Sequence, residues 1–324
     1  MLSRRSFLAG PVLVAGMAAA GRALAAGYPT RVVRVLNPWP PGGPADLACR
    51  PICDKLSERL GEPFVMENKP GANGTIATAQ GAAAAPDGYT LLYGHVGPTT
   101  ISPALQKLPY DPLRDFAPVA NAVTGAIVLI VRPSLPVNSV PELVAYAKAH
   151  AGELNYASVG AGSTTHFAGE LLKRGAGIDM VHVPFKGSTP ALTELIAGRI
   201  DLMFISIGGL LPFIRSGQVR ALAVTNKTRA SQLPDLPPMA DFVPDFEVNS
   251  WYGFLAPAAT PKDIVELLNR EIVAIISEPE MAKRLQEAGL DPQPGTPEDF
   301  ARRIRGDLVY WAKAVADTGI RIDD

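Results

Sequence analysis

Twice in this chain a short apolar run gives way to a glycine-rich polar loop that opens a helix, and this repeated order constrains the fold more than any other feature. In the first instance residues 32–36 read as a strand, 38–46 as the loop and 46–60 as the helix, with Cys49, Ile52, Cys53, Leu56 and Leu60 facing inward. The loop is Pro38-Trp39-Pro40-Pro41-Gly42-Gly43-Pro44-Ala45-Asp46. Its prolines stiffen it, and the adjacent glycines leave backbone N–H groups uncovered by side chains. The first amides of a helix have no intrahelical acceptor and the macrodipole favours negative charge there, so such a loop can serve as an anion site. Trp39 adds a flat apolar wall. A rigid strand-to-helix connection with Asp46 as N-cap is the alternative use of the same residues.

The alternation continues. Residues 64–66 read as a strand, 70–75 as a second glycine-rich turn, and 75–85 as an alanine-rich helix; Asp87-Gly88 then turns the chain into strand 89–93 and a third polar loop, 94–100. Strand, helix, strand, helix, strand implies a parallel sheet with its loops gathered at the carboxyl edge. Pro51 is expected to bend the first helix. Residues 103–118 are proline-rich and irregular, and 126–131 form one long apolar strand.

A second run starts there. Ser139-Val140-Pro141-Glu142 signals a capped helix to about residue 150, and 154–157 a strand. The loop Ser158-Val159-Gly160-Ala161-Gly162-Ser163-Thr164-Thr165-His166 enters the next helix. Strand 180–183, loop 185–190, a helix to Gly198, and strands 201–205 and 219–225 complete what reads as a second parallel sheet. If the halves face one another, loops 38–46 and 158–166 present two helix N-termini to one cleft. Strand 251–256 returns the chain. Thr260-Pro261-Lys262-Asp263 and Thr296-Pro297-Glu298-Asp299 cap two closing helices, the last with Phe300, Ile304, Leu308, Trp311 and Val315 at core spacing, and both are expected to pack on the first domain.

The N-terminus carries an export signal: Ser3-Arg4-Arg5-Ser6-Phe7-Leu8, an apolar stretch over 9–20, and Ala23-Leu24-Ala25 before the cleavage point. The paired arginines resemble a twin-arginine signal, with an ordinary secretory signal as the alternative. Cleavage after Ala25 leaves 299 residues with 27 cations against 31 acids, a balance that argues against nucleic acid as a partner. No later run approaches the roughly 20 apolar residues that span a bilayer. Cys49 and Cys53, four apart on one helix, are expected to be buried thiols, because that spacing seldom allows a relaxed disulfide. His95, His150, His166 and His182 show no metal-ligand spacing, and His166 with Glu170 reads as a helix-surface contact, so neither metal nor cofactor is expected.

Together the loop at 38–46, Glu67-Asn68-Lys69-Pro70-Gly71-Ala72-Asn73-Gly74, Asp87-Gly88-Tyr89-Thr90, Leu108-Pro109-Tyr110-Asp111-Pro112 and the loop from Tyr156 to Ser163 form an ordered set of motifs. His182-Val183-Pro184-Phe185-Lys186-Gly187, Gly198-Arg199-Ile200-Asp201-Leu202-Met203, Trp251-Tyr252-Gly253-Phe254 and Gly295-Thr296-Pro297-Glu298 extend it over essentially the whole mature chain. This set resembles the Bug/TctC family, the extracytoplasmic solute-binding proteins of tripartite tricarboxylate transporters. The resemblance implies an α/β, two-domain, periplasmic-binding-protein-like fold of type II (Venus flytrap), with the ligand cleft between the domains. It implies a first domain of residues 26–123 and 249–324 and a second of 124–248. It also implies a periplasmic monomer that hands a small organic carboxylate to membrane permease subunits.

By the same resemblance, backbone amides and hydroxyls of loops from both domains hold the carboxylate. The residues so implied are Trp39, Gly42, Gly43 and Asp46 on one side and Ser158, Gly162, Ser163, Thr164 and His166 on the other. The chain departs from the family pattern at Trp39, where Phe is usual, at Phe185, where Tyr is frequent, and at Pro51 and the two cysteines. Trp39 suits a planar or aromatic acid by stacking, and equally suits a structural role. Two other functions are weighed against transport: the ligand-binding part of a membrane sensor, and an exported hydrolase using Ser163 with His166. The chain lacks the Gly-x-Ser-x-Gly elbow that such a hydrolase would carry.

Overall fold

The computed structural model describes residues 27–230, 232–244 and 246–320; the export signal and its cleavage point lie outside the described residues. In chain order the strands are β1 (Val33–Asn37), β2 (Phe64–Asn68), β3 (Thr90–His95), β4 (Phe116–Gly125), β5 (Ile127–Val131), β6 (Asn155–Ser158), β7 (Val181–Pro184), β8 (Leu202–Ser206), β9 (Arg220–Val224), β10 (Ser250–Pro257) and β11 (Leu290–Pro292). They make two sheets, ordered β11-β4-β10-β3-β1-β2 and β7-β6-β8-β5-β9. The chain passes from the first sheet to the second at Ala126 and returns to the first at Ser250. In each sheet three strands are parallel, β2-β1-β3 and β7-β6-β8, as the alternating sequence requires.

The second sheet is mixed, where the sequence suggested a parallel one. β5 runs antiparallel to both β8 and β9. It enters straight from β4 with only Ala126 between them, so no crossover helix reverses its direction. β4 itself falls partly within the stretch that read as irregular. Pro118 sits inside it opposite Leu255, and a register shift at Phe254/Leu255 accommodates the residue that cannot donate to the ladder. β11 is too short, at three residues, to leave a periodic signal.

Three apolar clusters hold the layers together. Helices Pro44–Leu60 and Lys262–Ser277 cover one face of the first sheet, burying Ile52 and Leu56 with Leu268 and Ile272 against Val33, Val35, Tyr93 and Phe254. Helix Ser188–Ile196 packs Ala191 and Leu195 on the outer face of the second sheet against Val128 and Met203. The third cluster joins the two sheets: Phe300 and Trp311 of helix Pro297–Thr318 share it with Leu92 of β3, Phe204 of β8 and Phe167 of helix Thr164–Ala176. Trp311 meets Phe167 edge-on at 5.3 Å, so the closing helix touches elements of both halves and not only the first.

Local chemistry sets the helix starts. Helix Pro44–Leu60 begins at Gly43 with Pro44 as its first residue, and Asp46 lies in its first turn instead of capping it. The helix runs through Pro51. Thr296 and Asp299 form the expected capping box. Ser139 caps its helix through the Glu142 N–H. Thr260 does not cap: Pro261 takes the N-cap position and no side-chain bond reaches that helix start. Cys49 and Cys53 are buried free thiols with their sulfurs 3.7 Å apart.

Candidate functional site: a cleft between the two sheets

The carboxyl ends of the parallel strands in both sheets converge on one cleft of about 590 Å³, solvent at its mouth included. Trp39, Pro40, Gly43, Pro44 and Ala45 form one wall, from the loop after β1 and the helix it opens. Val159, Thr164 and Thr165 follow β6, Gly187, Ser188 and Thr189 follow β7, and Ser206 ends β8. His95, Ser250 and Tyr252 complete the cleft where β3 ends beside the start of β10, and Ile127 contributes from β5. Its lining contains no Lys, Arg, Asp or Glu. Polarity is supplied by hydroxyls, an indole N–H and the starts of three helices, Pro44–Leu60, Thr164–Ala176 and Ser188–Ile196, whose first N–H groups have no intrahelical acceptors.

The two halves meet at the rim. A Cβ on Gly187 would lie 3.4 Å from Pro40 Cγ, and one on Gly208 would lie 3.0 Å from Pro44 Cβ. Glycine at 187, with φ +117, thus permits both the turn and the close approach of the opposite proline.

Of the nine residues named from the sequence, Trp39, Gly43 and Thr164 line this cleft. The other six lie behind it and brace its loops. Asp46 accepts the Gly42 N–H at 3.3 Å and the Arg50 guanidinium at 2.9 Å. Asn68, at the end of β2, donates to the Trp39 carbonyl at 2.9 Å and so ties the same loop to the sheet. On the other side Ser158 accepts the Gly160 N–H at 3.1 Å and bonds His182 Nε2 at 2.7 Å. Gly162 donates its N–H to His166 Nδ1 at 3.1 Å, and Ser163 caps the helix by accepting the His166 N–H at 3.2 Å.

The Ser163 hydroxyl therefore serves its own helix, and its side-chain neighbour is Thr165 Oγ1 at 3.0 Å rather than the His166 ring. That ring stacks on His182 with centroids 4.0 Å apart. Glu170 bonds the Tyr156 hydroxyl at 2.6 Å and Lys173 at 3.2 Å.

Sequence reasoning did not select His95, Ser206, Ser250, Tyr252, Ser188 or Thr189. His95 is 4% exposed, and burial pulls its pKa down to about 3, so the ring is neutral. Its Nδ1 accepts the Gly97 N–H at 3.2 Å, and its Nε2 lies 2.9 Å from Ser250 Oγ. Trp39 meets the His95 ring edge-on at 5.1 Å, and Tyr252 tilts against it at 4.7 Å. Trp39 Nε1 and Ser206 Oγ are buried without a hydrogen-bond partner among the described residues. Two such groups at the cleft mark places for ligand atoms or water. The loops that carry Ser188 and His95 were visible as glycine-containing polar turns after strands; no signal distinguished them from the loops chosen.

Two facing α/β layers with helix starts directed into a shared cleft define a solute-binding protein of the periplasmic-binding class. The family model for the tripartite tricarboxylate transporter family receptor matches residues 48–320, and the chain belongs to that family. BugT of Bordetella pertussis (strain Tohama I) is 34% identical over 300 residues, covering 91% of each chain. Among solved structures, Rpa4515 of R. palustris with adipate superposes with a TM-score of 0.87 at 36% identity, covering 91% of this chain and 99% of that one. MatC (Rpa3494) from Rhodopseudomonas palustris with bound malate gives a TM-score of 0.83 at 34% identity, covering 89% and 100%.

Proposed function

We propose that this protein is an exported, non-catalytic receptor that captures a small organic carboxylate between two domains and delivers it to membrane permease subunits of a tripartite tricarboxylate-type transporter. The observation that carries this reading is a cleft with no charged side chain, into which helix starts and hydroxyls from both sheets point. Such a site offers donors from the helix ends and small side chains, which suits a carboxylate. The relatives solved with adipate and with malate support the same ligand class. In this reading the protein is a periplasmic monomer released by cleavage after Ala25. The domains in this reading are residues 26–123 with 249–324, and 124–248, hinged where β4 passes into β5 and where the chain re-enters β10.

The test is a ligand-dependent shift in melting temperature across a library of mono-, di- and tricarboxylates, each paired with its neutral amide. Stabilisation by acids and not by their amides is expected, because a charge-assisted hydrogen bond contributes about 1.5–3 kcal/mol. Equal stabilisation by acid and amide would remove the carboxylate reading.

A further inference from the structure

We infer that His95 is a positioning residue that fixes the direction of the hydrogen bonds at the inner end of the cleft, so that the ligand's far end must accept hydrogen bonds and a ligand with an ammonium there is rejected. This rests on the carboxylate reading above and narrows it.

The direction follows from which atoms can donate. The Gly97 N–H can only donate, so His95 Nδ1, 3.2 Å away, presents its lone pair to it. A neutral imidazole with an unprotonated Nδ1 carries its hydrogen on Nε2, and that hydrogen points to Ser250 Oγ at 2.9 Å. Ser250, already accepting, has one hydrogen left to direct elsewhere. Ser250 lines the cleft, so that hydrogen is free to point into it.

The neighbouring wall agrees. Trp39 Nε1, which can only donate, is buried and has no partner among the described residues. An ammonium brings three donors and no acceptor, so it cannot pair with a group of the wall that only donates. It would leave those fixed donors unpaired, the costly arrangement for buried polar groups.

The experiment is titration calorimetry on the mature protein with two matched pairs, malate against aspartate and adipate against 2-aminoadipate. In the wild type the unaminated acid should bind at least tenfold more tightly in whichever pair is bound. His95→Leu removes the Nε2–H without adding charge and should reduce that ratio at least fivefold. His95→Gln, whose amide supplies a donor toward Ser250, should keep it.

In a Ser250→Ala background, His95→Leu should leave the ratio unchanged, since the imidazole acts through that hydroxyl. Should His95→Leu fail to fold, Ser250→Ala alone must lower the ratio with the ring intact. Equal affinity within a pair, or a folded His95→Leu variant with the wild-type ratio, overturns the inference and leaves the carboxylate reading standing. Absence of binding by all four compounds, with no stabilisation by any acid of the wider library, overturns both.

Discussion

Gly43 and Ser188 face one another across the cleft: a Cβ placed on Gly43 would lie 3.9 Å from Ser188 Oγ. Gly43 is the N-cap of helix Pro44–Leu60, and Ser188 is the first residue of helix Ser188–Ile196, so the positive ends of two helix dipoles from different sheets meet at one place. A single exposed helix start stabilises an anion by about 0.3–1 kcal/mol, and by about 2 when partly buried. A micromolar complex needs roughly 8 kcal/mol. In the carboxylate reading, the facing pair and the hydroxyls around it together supply the donors for the anion.

Gly43→Asp should therefore abolish capture while leaving the fold intact. Gly43 has φ −85, a conformation open to any residue, and its Cβ would meet nothing closer than 3.8 Å. Aspartate is moreover a preferred N-cap, so its carboxylate would occupy the helix start and repel an incoming anion. The expected outcome is a melting temperature at or above wild type and at least a tenfold loss of affinity by calorimetry, about 1.4 kcal/mol. Small-angle scattering should show the wild-type radius of gyration falling on addition of ligand, with the variant unchanged at the same concentration. Wild-type affinity in the variant would show that the first helix start does not contact the ligand.

What could be read from the sequence follows from how local each feature is. The β1-loop-helix and β6-loop-helix units are contiguous, so their apolar runs and glycine turns announced two parallel three-stranded cores and the cleft between them. β5 gave its apolar pattern but not its direction, which depends on the single-residue link at Ala126 and its pairing with β8 and β9. Ser250 and Tyr252 reach the cleft because β10 pairs with β3, more than 150 residues earlier, and no local pattern reports that pairing. Ser158, Gly162, Ser163 and His166 carried the right chemistry, but their hydrogen bonds are spent on shaping the loop.

Trp39→Phe tests the indole N–H apart from the aromatic wall. Phenylalanine keeps an apolar face near His95 and removes the unpartnered Nε1 donor. A neutral hydrogen bond contributes about 0.5–1.5 kcal/mol net, so affinity for the best carboxylate should fall roughly threefold to tenfold. Trp39→Ala should lose more, because the wall goes too. Unchanged affinity in Trp39→Phe would assign the residue to packing alone.

Gly169→Ala probes the support behind the second loop. Its Cβ would fall 2.1 Å from Tyr156 Cε2, and that ring also stacks on His182 and bonds Glu170. Overpacking of this kind costs about 1–3 kcal/mol. The urea midpoint should drop accordingly with little change in slope, and a midpoint equal to wild type would show that the Tyr156 ring has room to move.

Acid should weaken the fold well before the carboxylates begin to titrate. Burial lowers the His95 pKa to about 3, and burial with His166 and Lys173 nearby lowers that of His182 to about 3. Unfolded histidine titrates near 6.5. Between those values the unfolded chain binds more protons than the folded one, so stability is complete above about pH 6.5 and declines as pH falls toward 3. Buried His95 contributes the larger part of this decline, while His182, partly exposed, contributes less. Asp307 works in the opposite sense, since burial raises its pKa and favours the folded state as acid is added. A comparison of variants separates these contributions. Melting temperature measured from pH 7.5 to 5 should fall in the wild type and fall less steeply in His95→Gln, whatever the variant's stability at neutral pH. Parallel profiles would mean that His95 does not hold its neutral form in the folded protein, and the hydrogen-bond direction it imposes on Ser250 would lose its basis.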